Sequence, residues 1–264
     1  MFNSVEQKEA HTLKQFDTAS LEYVNTLNLN NRQDTKYAFR NSELPNVLQD
    51  LKNNYKILDI QNNKVFLYEN LYYDTPDLFM YFQHHNGKLN RYKIRYRKYR
   101  DNNTIFFEIK KKTNKQITIK NRIQAEKIEN SLTKDANDLI EEEVDTKLEN
   151  LSPKLWINYS RITLVHNERN EKVTFDKDLS FKGMVNGWSY LPGLVIAEIK
   201  QERFNPNSDF IKLMNRFRIR KIRISKYTTG SIMAYPEIKY NRFKPRLLFI
   251  NKQCENQDGY FKFL

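Results

Sequence analysis

The sequence predicts an α+β fold in which helices surround an antiparallel β-barrel, and three observations carry that expectation. Segments rich in β-branched and aromatic residues recur along the 264 residues, separated by short polar turns. Amphipathic helical stretches are inserted between them rather than alternating one for one with strands. Several of the strands also place charges on one face and apolar side chains on the other.

Taken in order, residues 1–30 are polar, without clear periodicity beyond a short helix, and are expected to form a partly helical or mobile N-terminal segment. Arg32 to Arg40 reads as a strand, after which Ser42 resembles an N-cap and Leu44, Val47, Leu48 and Leu51 fall on one helical face. From Tyr55 to Tyr73 the composition is that of two strands, with Asn62-Asn63 as the expected hairpin turn. Asp74-Thr75-Pro76-Asp77 starts a short helix that ends near Gly87. Lys88–Tyr99 and Thr104–Lys111 form two strands around the Asp101-Asn102-Asn103 turn, followed by another over Gln116–Arg122. Ser131–Leu148 is an acidic helix with a stripe of Leu132, Ala136, Leu139, Ile140 and Val144. Strands follow at Tyr159–His166, Glu171–Asp176 and Leu194–Gln201, then a helix over Ser208–Phe217, a basic strand and a helix near Thr228–Ala234. The barrel domain is expected over 31–250, with 251–264 as a tail.

Composition narrows the function. Hydrophobic content of 39% supports a packed core, and 6 Gly with 7 Pro argue against a linker-dominated chain. No run of about 18 apolar residues could span a membrane, and the start, Met-Phe-Asn-Ser-Val-Glu, lacks the pattern of a secretory signal. The single cysteine, Cys254, allows no internal disulfide and fits a reducing cytoplasm. The net charge of +13 asks for a polyanionic partner, and its distribution strengthens the case. Residues 88–122 carry 13 Lys/Arg against 2 acids and residues 212–252 carry 12 against 1, whereas 126–149 hold 9 acids against 3 Lys. A merely solubilising surface mixes the signs.

The period of two then locates the cations. Arg91, Lys93, Arg95 and Arg97 share one face of a strand, with Tyr92, Ile94 and Tyr96 on the other. Glu108 and Lys110 share a face of the next strand, and the same Glu-Ile-Lys recurs as Glu198-Ile199-Lys200. Lys120, Arg122, Arg161 and Asp176 extend the pattern, and Arg32-Gln33-Asp34-Thr35-Lys36 alternates charges. Either these faces look outward over an apolar interior, or they line a wet lumen while helices cover an apolar outer wall. Helices with apolar stripes need a surface to cover, which favours the lumen. Converging desolvated cations need an anion. A triphosphate supplies several charges and the oxygens that Arg reads bidentately, and the few inward carboxylates suit Mg²⁺ or Mn²⁺.

The same residues resemble a known family. Arg32-x-Asp34-x-Lys36-Tyr37, Tyr73-Asp74-Thr75, His85-Asn86-Gly87-Lys88, the Arg91–Arg97 strand, Glu108-x-Lys110, Arg161-Ile162-Thr163, Glu198-x-Lys200 and Ser225-Lys226-Tyr227 are similar, in order, to the VTC domain. That is the polyphosphate polymerase module of the triphosphate tunnel metalloenzymes. The resemblance implies a tunnel of eight antiparallel strands that transfers the γ-phosphate of ATP onto inorganic polyphosphate or pyrophosphate. By position it implies phosphate-binding, catalytic roles for Lys36, Arg95, Arg97, Lys110, Arg161 and Lys226, and metal binding by Glu198, with Glu108 as a second carboxylate. Arg91, Lys93, Lys120, Arg122 and Lys200 join the lumen by periodicity as further substrate contacts. Relatives that hydrolyse triphosphates open with Glu-x-Glu-x-Lys, and Arg32 stands where their first Glu would. The exchange favours a polymerase over a hydrolase.

Two alternatives stay open at this point, a triphosphatase acting on inorganic triphosphate or a nucleotide, and a non-enzymatic polyanion-binding barrel. RNA binding would want aromatics interleaved with cations on the binding face, and in the Arg91–Arg97 strand they fall on the opposite one, so no nucleic-acid partner is expected. His84-His85 lacks a third metal ligand at a recognisable spacing, and no Gly-x-x-x-x-Gly-Lys-Ser/Thr loop is present.

Overall fold

The computed structural model describes residues 4–27, 29, 32–115, 117–254 and 261. The very start of the chain, Gln116 at the head of one expected strand, and most of the expected tail lie outside these residues. In chain order the elements are α1 (Ser4–Leu13), β1 (Thr18–Ala19), α2 (Leu21–Thr26), β2 (Gln33–Arg40), α3 (Leu44–Leu51), β3 (Tyr55–Leu58), β4 (Phe66–Asp74), α4 (Phe79–His85), β5 (Arg91–Tyr99) and β6 (Thr104–Lys112). They continue with β7 (Thr118–Ala125), α5 (Lys134–Glu143), β8 (Ser152–His166), β9 (Glu171–Gly183), β10 (Trp188–Leu191), β11 (Leu194–Gln201), α6 (Asp209–Arg216), α7 (Lys226–Ala234) and α8 (Lys244–Gln253).

Eight strands form one path, β2-β11-β9-β8-β4-β5-β6-β7, and every ladder along it is antiparallel. The sheet is not closed by a ladder between β2 and β7 among the described residues. It curls instead, so that the segment before α7 reaches two distant strands. Ile222 N donates to Lys36 O at 2.8 Å, Lys36 Nζ reaches Ile224 O at 3.2 Å, and Lys93 Nζ reaches Ser225 Oγ at 3.0 Å. One short segment therefore touches both β2 and β5, which sit far apart in strand order. The basic strand expected here is only extended chain with a single bridge, Tyr37 to Lys221.

Three apolar clusters explain the curl. One side of β2, β8, β9 and β11, including Tyr37, Ile162, Phe175 and Ala197, is sealed by α3 and α6 through Leu44, Val47, Phe210 and Met214. The corresponding side of β4–β6, including Tyr73, Ile94, Tyr96 and Phe107, packs with Ala136 and Leu139 of α5. A third cluster seats α7 and α8 against Leu155, Ile157, Phe181 and Ile196. The first two clusters cover the outer wall. The third lies on the face of Arg161 and Asp176, because Ile196 stands opposite Asp176 and Leu155 and Ile157 are in phase with Arg161 on β8. There α7 and α8 pack on the lumen side, beside the charged residues. Gly230 lets α7 approach closely, because a Cβ there would lie 2.3 Å from Phe181 Cδ1.

Local expectations fail in three instructive places. Ser42 lies in a 3-10 turn over Asn41–Glu43 and caps nothing. The Asn62-Asn63 turn exists, with Asn62 at φ 65°, but it makes no hairpin between β3 and β4. Both strands lie along the same edge of β8, β3 on Leu164–His166 and β4 on Ser152–Arg161, so the turn is an excursion from one long edge. The acidic helix spans only Lys134–Glu143, capped by Thr133 on Ala136 N, although Leu132, Val144 and Leu148 still pack with its cluster.

Candidate active site

In antiparallel ladders, residues directly opposite share a face. Across β2, β11, β9 and β8 the register aligns Lys36 with Glu198, Glu198 with Thr174, and Thr174 with Thr163. Arg161 lies opposite Asp176, and Lys200 lies between Asp34 and Lys172. On the other wall Arg95 opposes Glu108, Lys93 opposes Lys110, and Arg91 opposes Lys112. Glu108 and Lys110 oppose Arg122 and Lys120 in turn. The residues expected in the lumen thus share one continuous face, with Lys226 added from the start of α7.

Three carboxylates hold most of these cations. Glu108, fully buried, receives Arg95 Nε at 2.9 Å and Nη2 at 2.6 Å on Oε2, while Lys120 Nζ stands 2.5 Å from Oε1 as an ion pair outside hydrogen-bond geometry. Asp176 makes a bidentate pair with Arg161, at 2.5 and 2.8 Å, and also accepts from Lys226. Glu198 pairs with Lys200 Nζ at 2.5 Å and Lys36 Nζ at 3.6 Å. Burial pushes each carboxyl up, and the cations outweigh it, so all three are held below the usual carboxylate range. Neutral groups aim the arginines further. Arg95 Nη1 donates to Tyr72 OH at 2.6 Å, Arg97 Nε to Asn70 Oδ1 at 2.9 Å, and Arg97 Nη2 to Tyr159 OH at 2.9 Å.

Lys93 and Lys110 have no carboxylate within ion-pair distance among the described residues. Burial, then neighbouring cations, pushes both ammonium groups well below the usual lysine range. Lys172 behaves alike, lowered to about 8 by burial and by Lys200, Arg32 and Arg161. These are the positions an anion would relieve. Sequence reasoning omitted Lys172, Lys112, Asn70, Tyr72 and Tyr159. The period of two that flagged Asp176 would have reached Lys172, but the tyrosines need the register with β5 and β8.

The two carboxylates expected at a metal each sit in a separate ion-pair group. Glu108 lies on β6 and Glu198 on β11, each among its own cations. No group of three His, Cys, Asp or Glu residues suited to a metal occurs among the described residues. Glu198 has a side chain 15% exposed, whereas Glu108 is fully buried and committed to Arg95 and Lys120. His85 bonds Asn86 and Asn241 away from the lumen.

A search of curated proteins finds no match. Among solved structures, a Hippeastrum adenylyl cyclase candidate with a dominant triphosphatase activity is 13% identical, with a TM-score of 0.44 over 76% of this chain and 97% of its own. An adenylate cyclase candidate from Bacillus halodurans is 13% identical, with a TM-score of 0.43 over 81% and 98%. The PH1819 protein of Pyrococcus horikoshii is 13% identical, with a TM-score of 0.42 over 75% and 97%. A model of the VTC domain family matches residues 31–235, a span that includes the charged faces of β2, β5, β6, β8, β9 and β11 and reaches through Lys226, and on that match the chain belongs to the VTC domain family.

Proposed function

We propose that this chain is a polyphosphate polymerase that moves the γ-phosphoryl group of ATP onto the end of a polyphosphate or pyrophosphate chain. The observation that carries the reading is the facing pair Lys93 and Lys110, half-buried and with no carboxylate within ion-pair distance, beside Arg95 and Arg97 fixed by Glu108, Asn70, Tyr72 and Tyr159. In the transfer, a terminal oxygen of the acceptor chain bonds the γ-phosphorus as its bond to the β,γ-bridging oxygen breaks, and that oxygen leaves with ADP. Charge spreads over the transferred group's oxygens, and the protein's task is to position and stabilise it. Lys93, Lys110, Arg95 and Arg97 face one wall of that charge, and Arg161, Lys36 and Lys226 face the other. Glu108 and Asp176 are positioning residues that keep the guanidinium planes aimed.

Mg²⁺ or Mn²⁺ is commonly held by one or two carboxylates plus substrate phosphates, and Glu198 suits that role. When bound, the cation neutralises phosphate oxygens. Arg32 Nε holds Asp34 at 3.0 Å, so the carboxylate of that strand is engaged rather than free to activate water. This supports transfer to phosphate over hydrolysis. No helix among the described residues is long and apolar enough to cross a membrane, and a cytoplasmic enzyme fits the single buried cysteine.

The test is to incubate the purified protein with ATP and Mn²⁺ and resolve products by gel and phosphorus NMR. A polyphosphate ladder is expected. Orthophosphate alone would make the protein a triphosphatase, and no turnover with retained triphosphate binding would make it a binding barrel.

A further inference from the structure

The end of the lumen at the β5–β6 turn carries side chains that phosphate chemistry does not require. Tyr99 closes β5 on the lumen face, and Phe106 on β6 lies opposite Arg97 on one side and Gln124 on the other. Tyr99 meets the edge of Phe106 at 6.1 Å and 87°, and Tyr68 lies 5.0 Å from Tyr99. The Arg122 guanidinium sits over the Phe106 ring at 4.2 Å. The neighbouring aromatics that face the outer wall, Tyr96 and Phe107, are buried in the core at 1% and 0% exposure, whereas Tyr99 and Phe106 are half-buried and Arg122 is exposed. A lumen-facing aromatic and guanidinium stack, open to solvent, is the chemistry that takes up a planar nucleobase.

We propose that this end of the tunnel is the nucleobase subsite, with the base of the nucleoside triphosphate stacked on Phe106 within the Tyr99–Arg122 group. The proposal rests on the reading that the tunnel takes ATP, and it assigns the direction in which ATP lies. From Phe106 the wall runs past Arg97 and the Glu108-held Arg95 to Lys110 and Lys93. Phe106 to Lys110 is four residues of strand, about 13 Å, the reach of an extended nucleoside triphosphate from base to terminal phosphate. The opposite end is ionic, with Arg91 facing Lys112, and the charge of Arg223 acting on Lys112. The acceptor chain therefore occupies the cationic end, and the nucleoside leaves from the aromatic one. Gln124, exposed beside Phe106, adds an amide able to donate and accept at a base edge.

The test compares ATP with inorganic tripolyphosphate by calorimetry without metal, so that no turnover occurs, in the wild type and in Phe106→Leu. Leucine keeps an apolar side chain and removes the ring face. The ATP dissociation constant is expected to rise about tenfold while that of tripolyphosphate is unchanged, which also shows that the variant is folded. Equal losses for both ligands would make Phe106 a wall residue and overturn the subsite. Unchanged ATP affinity in the variant, with ATP bound by the wild type, would overturn the subsite alone. Wild-type protein that binds tripolyphosphate and not ATP would overturn the nucleotide reading with it.

Discussion

At the scale of single residues, two carboxylates in one lumen do different work. Glu108 holds a buried arginine by two hydrogen bonds and a lysine by an ion pair, so Glu108→Gln leaves Arg95 and Lys120 without a counter-charge. Breaking such a pair should cost about 3–5 kcal/mol of stability, read by denaturant unfolding. Glu198 faces two lysines, one of them at 3.6 Å, and Glu198→Gln should cost less stability but lower metal-dependent transfer by orders of magnitude. Metal-free triphosphate binding should survive or tighten, because one repelling anion is gone. Full turnover by that variant would remove Glu198 from the mechanism. A third residue sets a pH dependence. Lys172 is lowered from 10.5 to about 8, so between those values the unfolded chain binds more protons and the stability of the empty protein rises with pH. Lys93 and Lys110, lowered by burial, act in the same direction. The positive charge at Lys172 is lost as pH rises through about 8, so tripolyphosphate binding should weaken there. In Lys172→Arg, where the charge persists, the decline between pH 7 and 9 should be shallower. Parallel pH profiles for the two proteins would place Lys172 outside the binding field.

At the scale of elements, α7 is the piece whose seating decides whether Lys226 reaches Asp176. Its N-terminus is capped by Ser225, Tyr227 donates to the buried Asp74, and Gly230 lies against Phe181 and Leu155 one turn further on. Gly230→Ala would press a methyl into Phe181, and overpacking of this kind costs about 1–3 kcal/mol. Because Lys226 is four residues before Gly230, the displaced helix should also lower phosphoryl transfer. Phe181→Leu in the same background should restore both melting temperature and turnover. An alanine variant with normal stability and turnover would show that the helix has room to spare. The helix is expected only near Thr228–Ala234 and begins two residues earlier, at Lys226 behind its Ser225 cap. By contrast, α6 was legible from its start at Ser208, which accepts from Ile211 N. The final helix α8 was not, since Leu247, Leu248, Phe249 and Ile250 run consecutively and give no helical period, although only Leu247 and Ile250 of the four are buried. The acidic helix was drawn too long for the opposite reason. Its stripe reports which residues pack, and Val144 packs from beyond the helix end.

At the scale of the whole molecule, the lumen was legible because alternation of charge and apolar residues needs only the strand itself. The partition of cations among carboxylates was not, because it depends on ladders between distant segments. Arg161 finds Asp176 across β8 and β9, whereas Lys226 finds it from α7, 50 residues along the chain. What results is a protein with more desolvated cations than carboxylates, of which Lys93, Lys110 and Lys172 are the clearest. Such a tunnel is self-repelling when empty and should be tightened by the anion that fits it. Ligand at 100 times its dissociation constant contributes about 2.7 kcal/mol, which for a domain of this size raises the melting temperature by about 5–10 °C. Tripolyphosphate should give a shift of this order, and orthophosphate at equal phosphate concentration should give far less, because it cannot bridge the two walls. Added salt should shrink the shift, and single-stranded RNA should compete poorly because its bases and sugars cannot follow the phosphates into a narrow lumen. Replacing Lys93 and Lys110 together with Ala should raise the melting temperature of the empty protein and abolish most of the tripolyphosphate shift. If RNA protected the wild type as well as tripolyphosphate does, or the double variant kept its shift, the binding charge would lie on the outer surface and the tunnel reading would fail.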